Sequence, residues 1–158
     1  HLAFQLNLPL EIIPCKKIKH PAHQHKTIGS VSLDEVDVHE ECRDLPQDYI
    51  SHQVALLRYS MDISNKFIHR GVKALPLNGK TVIVVDDILL SGDTMISCLR
   101  SIKKQKPERI VVAVPFATPQ ALEKIGPLVD QLIYLQKETD RADTYYHLWR
   151  QIAEEEVR

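Results

Sequence analysis

The sequence predicts an α/β fold, a doubly wound and mainly parallel sheet flanked by helices, with a small antiparallel excursion near its start. Three observations carry this. β-Branched runs at Thr81–Val85 and Arg109–Val114 have the continuous apolar character of buried parallel strands. Between and after them lie segments with helical spacing of apolar residues. The resulting order, strand–helix–strand–helix–strand from Thr81 to Leu135, calls for crossover connections, which are right-handed in such sheets.

Taken in order, His1–Asn7 reads as a helix and Leu10–Cys15 as a strand. Lys16–Thr27 reads as a basic, His-rich loop, followed by short strands at Ile28–Leu33 and Val36–His39. The stretch from the lysine pair to Leu45 is the antiparallel excursion. Pro46-Gln47-Asp48 opens a long helix, because proline is suited to a helix start and Ile50, Val54, Leu57, Met61, Ser64 and Ile68 follow on one face. Arg70–Leu77 connects to the strand Thr81–Val85 through an Asn78-Gly79 turn. A helix over Gly92–Gln105 buries Met95, Leu99 and Ile102 and stops before Pro107. Arg109–Val114 is the next strand, Pro119–Ile125 a short helix, Gln131–Leu135 a strand, and Thr144–Glu156 a terminal helix. The 158 residues suit a single domain over 1–158. An α/β unit normally has a strand before its first helix, so a first strand and loop are expected to be missing ahead of His1.

Composition narrows the function classes. A hydrophobic content of 44% and charged content of 26% are those of an ordinary globular chain. A net charge of −1 provides no electrostatic argument for a nucleic-acid polymer or an anionic membrane. No apolar run approaches a membrane span, and no signal-peptide pattern is present. Cys15, Cys42 and Cys98 are odd in number and widely spaced, which suggests reduced thiols and a cytoplasmic protein.

The most informative stretch is Thr81–Met95, T-V-I-V-V-D-D-I-L-L-S-G-D-T-M. The carboxyl ends of strands in open α/β sheets are where ligands bind. There Asp86 and Asp87 are placed to accept hydrogen bonds from sugar hydroxyls or to hold Mg²⁺ through water. Ser91-Gly92-Asp93-Thr94 then offers a glycine for close approach, two hydroxyls, and the free N–H groups of a helix start. Either part alone is ordinary turn and cap chemistry. In this order on a strand–loop–helix frame, they predict a site for a phosphorylated sugar. Lys16 and Lys17, just past the predicted strand Leu10–Cys15, would share that edge and neutralise phosphate or pyrophosphate charge.

Competing motifs are weaker. Gly79-Lys80-Thr81 resembles the end of a P-loop, but Ala74 stands where its first glycine belongs, and Lys80-Thr81 leads into a strand rather than a helix. An acidic pair after an apolar strand also occurs in receiver domains, where four further strand–helix units follow; about 70 residues after Asp87 are too few. His20, His23 and His25 form H-x-x-H-x-H, which lacks a nearby Cys or carboxylate to complete a metal set and reads as solvated loop. His39-Glu40-Glu41-Cys42 reads as the polar start of a helix. Glu154–Glu156 reads as a solvated face, and Tyr145, Tyr146 and Trp149 as packing of the last helix.

V-V-D-D-I-L-L-S-G-D-T resembles the PRPP-binding signature of type I phosphoribosyltransferases. P-C-K-K-I-K-H-P-A-H-Q-H-K-T-I-G-S-V, the long helix ending in H-R-G, and R-I-V-V-A-V-P-F-A-T-P resemble a bacterial group of that family, so the likeness runs from about Leu8 to the last helix. The resemblance implies a phosphoribosyltransferase-like fold and Mg²⁺-dependent transfer of phosphoribosyl between PRPP and a purine, pyrimidine or other base. Asp86 and Asp87 would contact the ribose 2- and 3-hydroxyls and hold Mg²⁺, indirectly through water. Leu90, Ser91, Gly92, Asp93 and Thr94 would wrap the 5-phosphate, and Lys17, with Lys16, would face pyrophosphate. A homodimer is admissible. The same resemblance leaves a second reading open, a non-catalytic module that senses PRPP or a nucleotide. Leu90 stands where 6-oxopurine enzymes of the family carry an acidic group, which disfavours that subclass. Asp93 brings a negative charge to a position usually Gly, Ala or Lys, and like charges in contact oppose phosphate binding.

Overall fold

The fold is described from a computed structural model, which covers residues 1–23, 25–69 and 74–137. The expected terminal helix, with Tyr145, Tyr146, Trp149 and Glu154–Glu156, lies outside the described residues, as does part of the Arg70–Leu77 connection. The chain is a mixed α/β structure with two sheets. One is antiparallel, β1 (Cys15–Lys19), β2 (Thr27–Ser32) and β3 (Val36–Val38), in the order β1-β2-β3. The other is parallel: β4 (Thr81–Val85), β5 (Ile88–Leu89), β6 (Arg109–Ala117) and β7 (Gln131–Lys137). The helices are α1 (Leu2–Gln5), α2 (Gln47–His69), α3 (Asp93–Lys104) and α4 (Pro119–Ile125).

β6 is the middle strand of the parallel sheet. β7 pairs along it from Val111 to Ala117, so β4 and β5 share its other side. Their split falls beside a proline. Pro115 lies within β6 and has no N–H to give to a ladder. Pairing stops at Val85↔Ala113 and resumes at Ile88↔Phe116, leaving Asp86 and Asp87 beside the gap. Three residues advance on each strand, so the interruption adds no bulge.

α3 and α4 both pack on the sheet face that carries Val82, Val84, Ile110, Val112, Val114 and Leu132. Leu99, Ile102, Ala121 and Ile125 are fully buried there, with Met95 close behind. The helical spacing read from the sequence thus points inward as expected. On the opposite face Ile83, Val85, Ile133 and Leu135 remain exposed among the described residues, so β4 alternates in burial instead of being covered throughout. Ile18, Ile28 and Val31 of the antiparallel sheet form a second core with Met61 of α2, flanked by Val54 and Leu57.

The first strand is where sequence and structure part. The expected strand is Leu10–Cys15; the observed one spans Cys15–Lys19, sharing only Cys15 with it and otherwise lying in the expected loop. Pro9 and Pro14 frame the earlier stretch, and Pro14 has no N–H. Glu11 ties that stretch down instead, accepting from the Leu75 N–H at 2.7 Å and from the Ile12 N–H at 3.0 Å. β1 is an edge strand, a place where lysines are common because they discourage further pairing, and Ile18 anchors it at full burial. Between β1 and β2, the Nδ1 of His20 accepts from the Ala22 and His23 N–H groups at 3.1 and 3.2 Å, so the histidine motif shapes a hairpin turn. Gly29 is required where β2 meets β3: a Cβ there would lie 2.1 Å from the Asp37 carbonyl oxygen.

Candidate functional site

The loop from β4 to α3 is fixed at four points. β5 pairs with the end of β6 beyond Pro115. Thr118, the N-cap of α4, donates its N–H to the Leu89 carbonyl at 2.9 Å and its hydroxyl to the Leu90 carbonyl at 2.6 Å. The same hydroxyl oxygen accepts from the Ala121 N–H at 3.1 Å, so one threonine starts α4 and pins the loop. Gly92, the N-cap of α3, has φ 76° and ψ −5°, a left-handed conformation that strains any residue with a Cβ. A Cβ there would lie in ordinary contact with Ile125 of α4, at 3.4 Å, so the backbone conformation is what calls for glycine. Finally, Ser30 of β2 donates its hydroxyl to the Asp93 carbonyl at 2.7 Å.

These constraints shape a cavity of about 210 Å³. Asp86, Asp87, Leu90, Ser91, Gly92, Asp93 and Thr94 all line it, together with Lys17 from the antiparallel sheet. The structure therefore brings together eight of the nine residues singled out from sequence. The exception is Lys16, whose Nζ donates to Ser60 Oγ of α2 at 2.9 Å. Neighbours along a strand point to opposite faces, so a lysine pair inside β1 cannot send both side chains to one cavity. The route of Lys17 also differs from the expected one: it reaches the cavity from an antiparallel strand rather than past the end of a parallel one. A larger groove of about 540 Å³ runs between residues 1–13 and β4, but it is mostly apolar and lacks the acidic pair.

Inside the cavity, Asp86 is half-buried and Asp87 exposed. The Asp87 N–H donates to Asp86 Oδ1 at 3.0 Å. Burial pushes the Asp86 carboxyl above its usual range; the Asp87 N–H opposes this, the Asp87 carboxyl adds to it, and the Lys17 charge acts in the opposite sense. Two adjacent carboxylates are a hard-oxygen donor set. Such a pair suits Mg²⁺, which takes one or two carboxylates and completes its shell with water and substrate phosphate oxygens. Among the described residues no cluster of three His, Cys, Asp or Glu side chains is placed to hold a metal by protein ligands alone. Leu90, at the start of the turn, is 45% exposed.

Asp93 behaves in a way that sequence spacing did not disclose. It is buried, and its carboxylate is met from two other elements. Lys124 Nζ of α4 donates to Oδ1 at 3.3 Å. Nε2 of His39, which follows β3, lies 3.3 Å from Oδ2, although the approach lacks hydrogen-bond geometry. Lys124 and His39 are thus neighbours of Asp93, outside the cavity lining, that the sequence reading missed. A signal did exist for the helix carrying Lys124: Thr118-Pro119 is a cap followed by proline at the first helical position. Nothing in the sequence pairs position 124 with position 93.

The family model described as Phosphoribosyl transferase domain matches residues 2–141. Two curated proteins of Mycobacterium tuberculosis, from strains CDC 1551 / Oshkosh and ATCC 25618 / H37Rv, both named as putative phosphoribosyl transferases, are 20% identical over 138 residues. The match takes in 85% of this chain and 31% of each of theirs, so the chain spans about a third of the length of these relatives. Among solved structures, TT1426 from Thermus thermophilus superposes with a TM-score of 0.75 at 25% identity, over 99% of this chain and 76% of that one. The AQ2163 protein from Aquifex aeolicus shares the fold at a TM-score of 0.50 and 16% identity, over 87% of this chain and 47% of its own.

Proposed function

The chain belongs to the phosphoribosyl transferase domain family, and on that premise we propose that it transfers a phosphoribosyl group between PRPP and a nitrogenous base, with Mg²⁺, releasing pyrophosphate. The observation that supports this reading is the convergence, on one cavity, of an acidic pair, a glycine turn at the start of a helix, and a lysine from the other sheet. In this reading Asp86 and Asp87 accept hydrogen bonds from the ribose 2- and 3-hydroxyls. Their charge favours the positive character that builds on the anomeric carbon as its bond to pyrophosphate lengthens. The first-turn N–H groups of α3 lack intrahelical acceptors and receive the 5-phosphate, with the Ser91 and Thr94 hydroxyls beside them. Lys17 offsets charge on the departing pyrophosphate. Asp86 and Asp87 would hold Mg²⁺ through water, and the ion would supply electrostatic stabilisation of the pyrophosphate.

The test is incubation with PRPP, Mg²⁺ and a panel of bases, with pyrophosphate release as the readout. We expect turnover with one base, and at least a tenfold loss of Mg·PRPP affinity in Asp86→Asn/Asp87→Asn, since hydrogen bonds to charged groups are worth about 1.5–3 kcal/mol. Unchanged affinity in that variant would remove the acidic pair from the site. Binding without turnover by the whole protein would favour the sensor reading. The raised Asp86 carboxyl adds a pH signature. Affinity for Mg·PRPP falls on acidification from a higher pH than an ordinary aspartate would give, and Asp86→Asn flattens that limb. Stability carries the opposite sign. A carboxyl raised in the folded state makes folding less favourable when ionised, so Asp86→Asn stabilises at neutral pH and the gain fades as pH falls.

A further inference from the structure

Asp93 places a carboxylate on the first residue of α3, inside a cavity read above as a phosphate site. Left alone, it would repel a phosphate monoester. The carboxylate is instead 6% exposed and held from the side by Lys124, with His39 beside its other oxygen. Lys124 stands in the last turn of α4, the helix whose Ile125 and Ala121 lie against Gly92. The helix that packs the turn therefore also carries the cation that answers its charge. Lys124 does not line the cavity, so its effect on a ligand must pass through Asp93.

We propose that Lys124 is a positioning residue for the 90–94 turn: it draws the Asp93 carboxylate aside and offsets its charge, so that the turn presents amide dipoles rather than a bare anion to a phosphate monoester. This rests on the proposed phosphate role of the turn. It explains how an aspartate can stand at this position without defeating the site. It also ties the phosphate turn to α4 by charge as well as by packing. His39, which follows β3, stands against the other oxygen of the carboxylate. Its Nε2 is buried and makes no hydrogen bond among the described residues, leaving the Asp93 oxygen as its near neighbour.

The experiment measures ribose 5-phosphate affinity by calorimetry for the whole protein and for Lys124→Met, Lys124→Arg, Asp93→Asn and the Lys124→Met/Asp93→Asn pair. Circular dichroism and the thermal midpoint confirm folding. Lys124 is part-exposed, so its variants are expected to fold even where Asp93→Asn does not. Lys124→Met should weaken binding about tenfold, with the loss shrinking as salt is raised. Lys124→Arg should restore most of it, and Asp93→Asn in the Met background should recover it, because no charge is left to offset. A purely structural role would give no recovery in the double variant. If the wild type binds ribose 5-phosphate and Lys124→Met matches it within twofold, this inference falls while the phosphate reading stands. If the wild type binds none at any soluble concentration, the phosphate reading falls and takes this inference with it.

Discussion

The two faces of α3 are built differently. Toward the parallel sheet it presents Met95, Leu99 and Ile102 to an apolar core shared with β6 and α4. Toward the antiparallel sheet it presents a polar seam. Ser97 Oγ meets Ser30 Oγ at 2.6 Å and Ser101 Oγ meets Ser32 Oγ at 2.7 Å. Arg100 pairs with Asp37, Lys104 with Glu35, and Asp93 lies against His39. The spacing is geometric: residues four apart on a helix face residues two apart on a strand. Burial is non-directional, whereas hydrogen bonds between small hydroxyls tolerate only one alignment. The apolar face supplies stability to the loop at the cavity. The polar face fixes where the sheet bearing Lys17 lies against it.

Three substitutions test this contrast. The largest effect is expected from Leu99→Ala, which empties a fully buried position of the apolar face. A loss of about 2–5 kcal/mol should appear as a lower denaturation midpoint. Costs below about 1 kcal/mol would mean that the apolar face is not the chief support. Ser97→Ala should cost less, about 1 kcal/mol, because Ser30 keeps its bond to the Asp93 carbonyl. Its sharper consequence should be loosened docking, read as faster amide exchange in β2 with α3 protected. Uniform exchange in both would erase the distinction between the faces. Lys104→Ala breaks an ion pair whose lysine is exposed and whose glutamate is part-buried, and should cost at most about 1 kcal/mol, vanishing in high salt. A loss that persists in salt would show the pair is better shielded than its exposure implies.

Much of this architecture can be read from residues alone, and the boundary of legibility is physical. Local signals are dependable: Thr118-Pro119 marks α4 at its observed bounds, and the Thr81–Val85 run marks β4. The acidic pair and the S-G-D-T turn are close in sequence, so their meeting at one cavity is foreseeable. What escapes depends on contacts between distant segments. The proline-framed Glu11-Ile12-Ile13 stretch imitates a strand by composition, and its hydrogen bond to Leu75 has no local signal. Cys15 and Cys98 look unrelated in the sequence, yet the Cys98 thiol, together with burial, pushes the Cys15 thiol well above its ordinary range. The partners of Asp93 come from the end of one hairpin and the end of another helix. Periodicity reports which face a residue takes, not which stranger it meets there.

The proline within β6 has a consequence for how this cavity could be altered. It stands beside the break that seats the two aspartates, with the same count of residues on both strands. Side chains at 86 and 87 can therefore be exchanged without shifting the register, as a keyhole can be recut without moving the door. Deleting either one would shift Ile88 and everything after it by a single step against its neighbour, turning the inward residues out. Variation here should come as replacement, not as gain or loss of length.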